Sequence, residues 1–161
     1  VSSDRAGTLF INRASLYLRG EGGFSPEAPH EQGPPPTTPP TSPDKVVEMV
    51  TLPQQALLYR LSGDKNPLHA DPQMAALAGF DRPILHGLCS FGIACKAVVD
   101  AMLDGEPDRV TAYSARFAGV AFPGETLVVS MWTQPNEILL VASTKERSSP
   151  VLVNGLIRLA V

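Results

Sequence analysis

The last third of the chain is strand-like throughout. Val110 to Phe117 alternates apolar and polar residues, and Thr126 to Trp132, Ile138 to Lys145 and Val151 to Val161 follow in the same style. Pro123-Gly124, Pro135-Asn136 and Ser148 to Pro150 separate them as turns, so consecutive strands are expected to pair antiparallel. Upstream, His86 to Leu103 is the most apolar segment, with Leu88, Phe91, Ile93, Ala94, Val98, Val99, Met102 and Leu103 distributed over nearly every face. Ser90, Lys96 and Asp100 interrupt it lightly. A helix apolar all round is expected to be buried, and at roughly 27 Å it would span a small domain. One long helix and one antiparallel sheet predict an α+β fold with the sheet wrapped around the helix.

The first third is different. Thr8 to Arg19 reads as a strand carrying Leu9, Phe10, Ile11, Leu16, Tyr17 and Leu18, ended by Gly20 to Gly23. Ser25 to Asp44 then holds eight of the sixteen prolines and few large apolar side chains, the composition of a stiff extended linker. Lys45 to Thr51 reads as a short strand, Pro53 to Leu61 as a short helix, and Asp71-Pro72 as the start of another, closed by Gly79. The organisation expected is therefore residues 1–24 as a terminal strand or arm, residues 25–44 as linker and residues 45–161 as the main domain.

Composition narrows the class. The 161 residues suit a single core. The net charge of −3, with basic residues scattered, argues against a nucleic-acid face. No apolar run reaches the roughly 20 residues of a membrane span. Cys89 and Cys95, six apart on one helix, face apart, so free thiols in a reducing compartment are expected. The chain opens at Val1 without Met, as a piece of a longer product would.

Chemistry concentrates between Tyr59 and Pro72, where Asp64, Asn66 and His69 fall within six residues. Asn66-Pro67 prevents an α-helix there, and Gly63 allows a sharp turn. A loop of this kind displays polar side chains. Asp64 and His69 could both hold one water and exchange protons with it. Gly87, in the first turn of the long helix, offers an amide without an intrahelical acceptor at the positive end of the helix dipole, which suits an oxygen gaining negative charge. The plainer alternatives are a loop-capping Asp64 with a solvated His69, and a Gly87 that only permits close packing. His86 either caps the helix structurally or meets substrate, and Cys89 reads as core. With three histidines, His30 among the prolines, no cluster has zinc-like spacing, so no metal and no cofactor are expected.

Tyr59-Arg60-Leu61-Ser62-Gly63-Asp64-Lys65-Asn66-Pro67-Leu68-His69, with Ala75 six residues on, resembles the hydratase 2 motif of (R)-specific enoyl-CoA hydratases, the MaoC-like group. Ile84-Leu85-His86-Gly87-Leu88 is similar to the segment opening that family's central helix. The resemblance covers Lys45 to Val161 and implies a hot-dog fold. It also implies reversible hydration of a trans-2-enoyl-CoA to a (3R)-3-hydroxyacyl-CoA, with Asp64 and His69 handling the water and its protons, Asn66 ordering them and the Gly87 amide binding the thioester oxygen. Several members are double hot dogs. The resemblance thus implies that residues 1–24 end a preceding repeat, residues 25–44 connect the halves and a second hot-dog half completes the site, or that a second copy does so in a homodimer.

Arg82, Lys96, Arg109 and Arg116 are the candidates for coenzyme A phosphates, while Lys65 faces solvent. The rival readings are a 3-hydroxyacyl dehydratase acting on acyl carrier protein, a thioesterase and a non-catalytic acyl-binding module. Ile157 to Val161 carries no peroxisomal address, which points to a cytoplasmic protein, with a peroxisomal one as the alternative.

Overall fold

A computed structural model describes residues 1–4, 7–15 and 38–160, in two units, Val1–Gly33 and Pro34–Val161. In the first unit β1 (Ser2–Asp4) pairs antiparallel with β2 (Gly7–Phe10). The strand expected from Thr8 to Arg19 therefore stops at Phe10, and residues 11–15 are not in a strand. Leu9, Phe10 and Ile11 are more than half exposed, so no apolar layer supports a longer strand there. Residues 16–37, with Leu16 to Leu18 and most of the proline-rich stretch, lie outside the described residues.

The second unit is a five-stranded antiparallel sheet with one long helix. In chain order it contains β3 (Lys45–Val50), α1 (Gln55–Tyr59), α2 (Pro72–Leu77), α3 (Gly87–Met102), β4 (Val110–Phe117), β5 (Thr126–Gln134), β6 (Glu137–Thr144) and β7 (Pro150–Leu159). The spatial order is β3-β5-β6-β7-β4. Each expected strand and helix of this unit forms, with ends shifted by a residue or two. The alternation explains the layering. Leu127, Val129 and Met131 of β5, Ile138, Leu140 and Ala142 of β6, and Ile157 of β7 are all buried on one face, which takes helix α3. Each large side chain so buried contributes roughly 1.5–3 kcal/mol. Small residues on the inward side of the helix, Cys89, Ser90, Ala94 and Ala97, let it lie close to the sheet, around Val98 at 0 % exposure. This is the hot-dog arrangement.

The helix is shorter and less enclosed than its composition implied. Sixteen residues make it about 24 Å long. Its other side, with Leu88 at 61 % exposure beside Gly92, Lys96 and Asp100, is open. One sheet covers one side of a helix, so an apolar sequence all round does not by itself bury all round. Lys96 and Asp100 pair with each other on that side.

Candidate active site

The loop after α1 is built from local hydrogen bonds. Arg60 Nη2 donates to the Lys65 carbonyl at 2.9 Å. Gly63, at φ 117°, makes the turn that side chains disfavour. The Asn66 amide donates to Asp64 Oδ1 at 3.2 Å, and Asn66 Oδ1 accepts from the Leu68 amide at 3.0 Å. Asn66 thereby caps a single 3₁₀ turn, Pro67–His69, so the segment is not wholly irregular. Asp71 starts α2 by accepting from the Gln73 amide at 2.8 Å.

That turn carries His69 inward. Asp64 and Asn66 are displayed to solvent as expected, but His69 is 9 % exposed, which removes the solvated alternative. Its Nδ1 lies 2.9 Å from the carbonyl oxygen of Ile84. A carbonyl only accepts, so in the neutral ring Nδ1 carries the hydrogen and Nε2 keeps a free lone pair.

Behind it stands His86, 1 % exposed, with ring centroids 3.7 Å apart and planes at 25°. His86 is the N-cap residue of α3, but its side chain does not cap. Its Nε2 lies 3.2 Å from the backbone oxygen of Asp64, and Tyr59 packs on it with centroids 4.7 Å apart. Burial, first of all, pushes the His86 pKa down, and the charges of His69 and Arg60 act the same way against the Asp64 carbonyl and carboxylate. Burial also raises the Tyr59 phenol.

One carboxylate oxygen of Asp64 and one ring nitrogen each of His69 and His86 lie within 4.8 Å of one another. A water at about 2.8 Å from two such atoms bridges a gap of up to about 5.6 Å. A metal fits less well. It must lie in the plane of each imidazole it binds, and two stacked rings share no nearby point in both planes.

A cavity of about 200 Å³ opens beside His69, walled by Gly87, Ser90, Phe117, Val120 and Val151 among others. Gly87 is the first residue of α3, so its amide has no acceptor within the helix. It also packs tightly: a Cβ there would meet the Phe117 ring at 3.1 Å. Both expectations for Gly87, a free amide and close packing, describe the same position. Ser90 and the far wall from Phe117 to Ala121 were not identified from sequence. No spacing links them to the loop, because β4 and the segment after it reach the site by tertiary folding. Cys89 is buried in the core, its thiol pushed up by burial, and both cysteines are free.

The far wall is pinned by an ion pair buried on its carboxylate side. Glu125, 5 % exposed, accepts from Arg147 Nε at 2.5 Å and Nη2 at 2.9 Å, and from the Phe122 amide at 2.8 Å. Arg147 Nη2 also donates to the Val120 carbonyl at 2.7 Å, and the Ala121 carbonyl accepts from the Leu85 amide at 2.8 Å. The Arg147 hydrogen bond holds the Glu125 pKa below the usual carboxylate range. A depressed carboxyl stabilises the fold above its unfolded pKa and loses that contribution as pH falls through the folded value. Glu125→Gln is therefore expected to cost about 2 kcal/mol at pH 7. Urea unfolding should show the difference shrinking at acidic pH; a gap independent of pH would mean the charge is not its source.

The second unit is similar to known proteins. A family model described as the MaoC like domain matches residues 34–154. The enoyl-CoA hydratase ChsH3 of Mycobacterium tuberculosis is 50% identical over 149 residues, which are 91% of this chain and 51% of that protein. The peroxisomal enoyl-CoA hydratase 2 of Arabidopsis thaliana is 47% identical over 152 residues, 89% of this chain and 49% of that protein. A solved MaoC-like dehydratase from Phytophthora capsici superposes with a TM-score of 0.75 at 40% identity, covering 78% of this chain and 44% of that one. This chain spans about half the length of the curated relatives it matches. By the extent of these matches, the chain belongs to the MaoC-like domain family.

Proposed function

We propose that this chain is the hydratase half of an enzyme that reversibly adds water to trans-2-enoyl-CoA, giving (3R)-3-hydroxyacyl-CoA. The observation that carries the reading is the pairing of Asp64 and His69 within reach of one water, next to a cavity bounded by the start of α3. The names of the two enoyl-CoA hydratase relatives support it. The water sits between the Asp64 carboxylate and His69 Nε2. Its oxygen bonds to C3 while His69 takes a proton, and the electron pair of the double bond moves onto the thioester oxygen. The Gly87 amide donates to that oxygen, an electrostatic contribution that replaces solvent at the moment charge develops. The electron pair then returns, and C2 receives the proton held by the Asp64–His69 pair. Asn66 keeps the loop in register by bonding Asp64 on one side and the 3₁₀ turn on the other. The test is loss of enoyl-thioester absorbance with crotonyl-CoA, with chiral analysis of the product. Release of free CoA would identify a thioesterase instead.

A second reading also has support. The Phytophthora capsici neighbour is a dehydratase by name, and the reverse reaction on an acyl carrier protein thioester would use the same residues. Comparing rates on CoA and carrier-protein thioesters separates the two.

The cavity, about 200 Å³, is smaller than the roughly 300–1,000 Å³ of a complete small-molecule site, and several apolar side chains of the second unit are exposed. Val46 and Val50 stand on edge strand β3, Leu57 and Leu58 on α1, and Leu88 on the open side of α3. A sheet edge and an apolar face of this kind ask for a partner. We assign that place to a second hot-dog half, supplied either by a longer product in which residues 1–24 end the first repeat and residues 25–44 join the two, or by a second copy. Sedimentation and intact mass of the native protein distinguish these.

For the CoA phosphates we choose Arg82. Lys96 and Arg109 are engaged with Asp100 and Glu106. Arg82 rests 4.7 Å above the Phe122 ring, two residues from Ile84 in the site wall, and has no ion pair among the described residues. Arg82→Ala is expected to raise KM for crotonyl-CoA about tenfold. KM for the phosphate-free N-acetylcysteamine thioester should stay unchanged; an equal rise for both would reject the assignment. No helix among the described residues is long and apolar enough to cross a membrane. A cytoplasmic location is part of the proposal, supported by two free cysteines, with the Arabidopsis relative supporting a peroxisomal one.

A further inference from the structure

His86 is the residue through which the parts of the site touch. Its ring stacks on His69, its Nε2 reaches the Asp64 backbone, and its own backbone begins the helix at Gly87. We propose that His86 is a positioning residue for the hydration step. It holds the Asp64 backbone with a hydrogen bond and gives His69 a neutral aromatic face while His69 takes and returns a proton. This inference rests on the hydratase reading above.

The tautomer follows from the partner. The Asp64 carbonyl accepts, so Nε2 of His86 carries the hydrogen. Nδ1 is then a bare lone pair, buried and without a hydrogen-bond partner among the described residues. Adding a proton there would create a charged donor with nothing to receive it, beside His69 and Arg60. The remaining groups facing the ring do not offset that charge. Tyr59 is held as a neutral phenol, and Cys89, a turn further along α3, is held as a thiol, both by burial. Only Asp64 favours a cation: its carbonyl is already satisfied by the neutral Nε2–H, and its carboxylate is displayed to solvent, where its pull is screened. Neutrality matters because the two rings are 3.7 Å apart. A protonated imidazole is accommodated over a neutral aromatic face, whereas two cations at that distance repel. His86 does not line the cavity, so it acts through Asp64 and His69 rather than on substrate.

The experiment is ¹⁵N imidazole NMR of the native protein, with His86→Phe and His86→Gln assayed beside it on crotonyl-CoA. His86 should appear as a neutral ring with its hydrogen on Nε2 at pH 7. His86→Phe keeps the ring face and drops the donor, and should lower kcat about 10²-fold with little change in KM. His86→Gln keeps a donor and drops the face, and should move the His69 ¹⁵N signals and lower kcat about tenfold with little change in KM. A His86 that is cationic at pH 7, or protonated on Nδ1, overturns the proposal, as do two folded variants that keep the wild-type kcat. If either variant fails to fold, the wild-type tautomer decides. A wild-type protein that hydrates no enoyl thioester would reject the reaction, while the NMR result would still decide the placement of His86.

Discussion

His69→Ala is expected to lower kcat for crotonyl-CoA hydration by about 10²–10⁴-fold, with KM changed much less. In the proposed mechanism the imidazole is the base, and its Nδ1 hydrogen is already committed to the Ile84 carbonyl at 2.9 Å, which leaves Nε2 to receive the proton. Removing the ring removes the acceptor but leaves the cavity walls on α3 and β4 in place. Asp64→Asn is the complementary change. An asparagine oxygen still accepts from the Asn66 amide, so the loop keeps its shape and only the charge is lost. It should cost a similar factor. If both side chains act on one water, as proposed, the double variant should be scarcely slower than the worse single variant. Two losses that multiply would mean independent roles, and two losses under about tenfold would remove Asp64 and His69 from the chemistry. Circular dichroism and thermal midpoints of the variants must match the parent for either outcome to count.

Part of this arrangement was legible along the chain because it is local. Asp64, Asn66 and His69 are brought together by six residues of sequence, and the Asn66-Pro67 step that forbids an α-helix also sets the 3₁₀ turn. The strands from Val110 onward are recognisable because each buries alternate residues on one sheet face. The central helix is recognisable from its length and apolar content, but not its exposure. Leu88 looks inward on composition and lies outward in the fold, since composition does not say how many sheets cover a helix. Burial of His69 was missed for a related reason. A loop rich in polar groups reads as solvated, and only the tertiary contact with the Ile84 carbonyl explains why one of them is not. The His69–His86 stack and the Phe117 to Ala121 wall join segments without any common periodicity. The wall follows β4, which the sheet order β3-β5-β6-β7-β4 places beside β7 rather than beside β5.

Gly87→Ala separates activity from stability at the other side of the site. In isolation alanine is the better helix former by about 1 kcal/mol, so the fold should not weaken through the helix itself. The added Cβ would lie 3.1 and 3.3 Å from two atoms of the Phe117 ring, and its three nearest neighbours all belong to that ring. Something must give, and the Phe117 ring, at 48 % exposure, can move more readily than the start of the helix. Phe117 walls the same cavity as Gly87 and His69, so a displaced ring would enter the space proposed for the thioester oxygen. Loss of a well-placed donor at a developing oxyanion costs about 10²–10³ in kcat. The expected result is a thermal midpoint close to the parent with kcat lowered by about 10². Shortening the neighbour in Gly87→Ala/Phe117→Leu should return part of that loss, because it relieves the contact without touching the amide. A single variant with parental kcat would show that the Gly87 amide is not the donor. A double variant no better than the single would show that Phe117 does not transmit the effect.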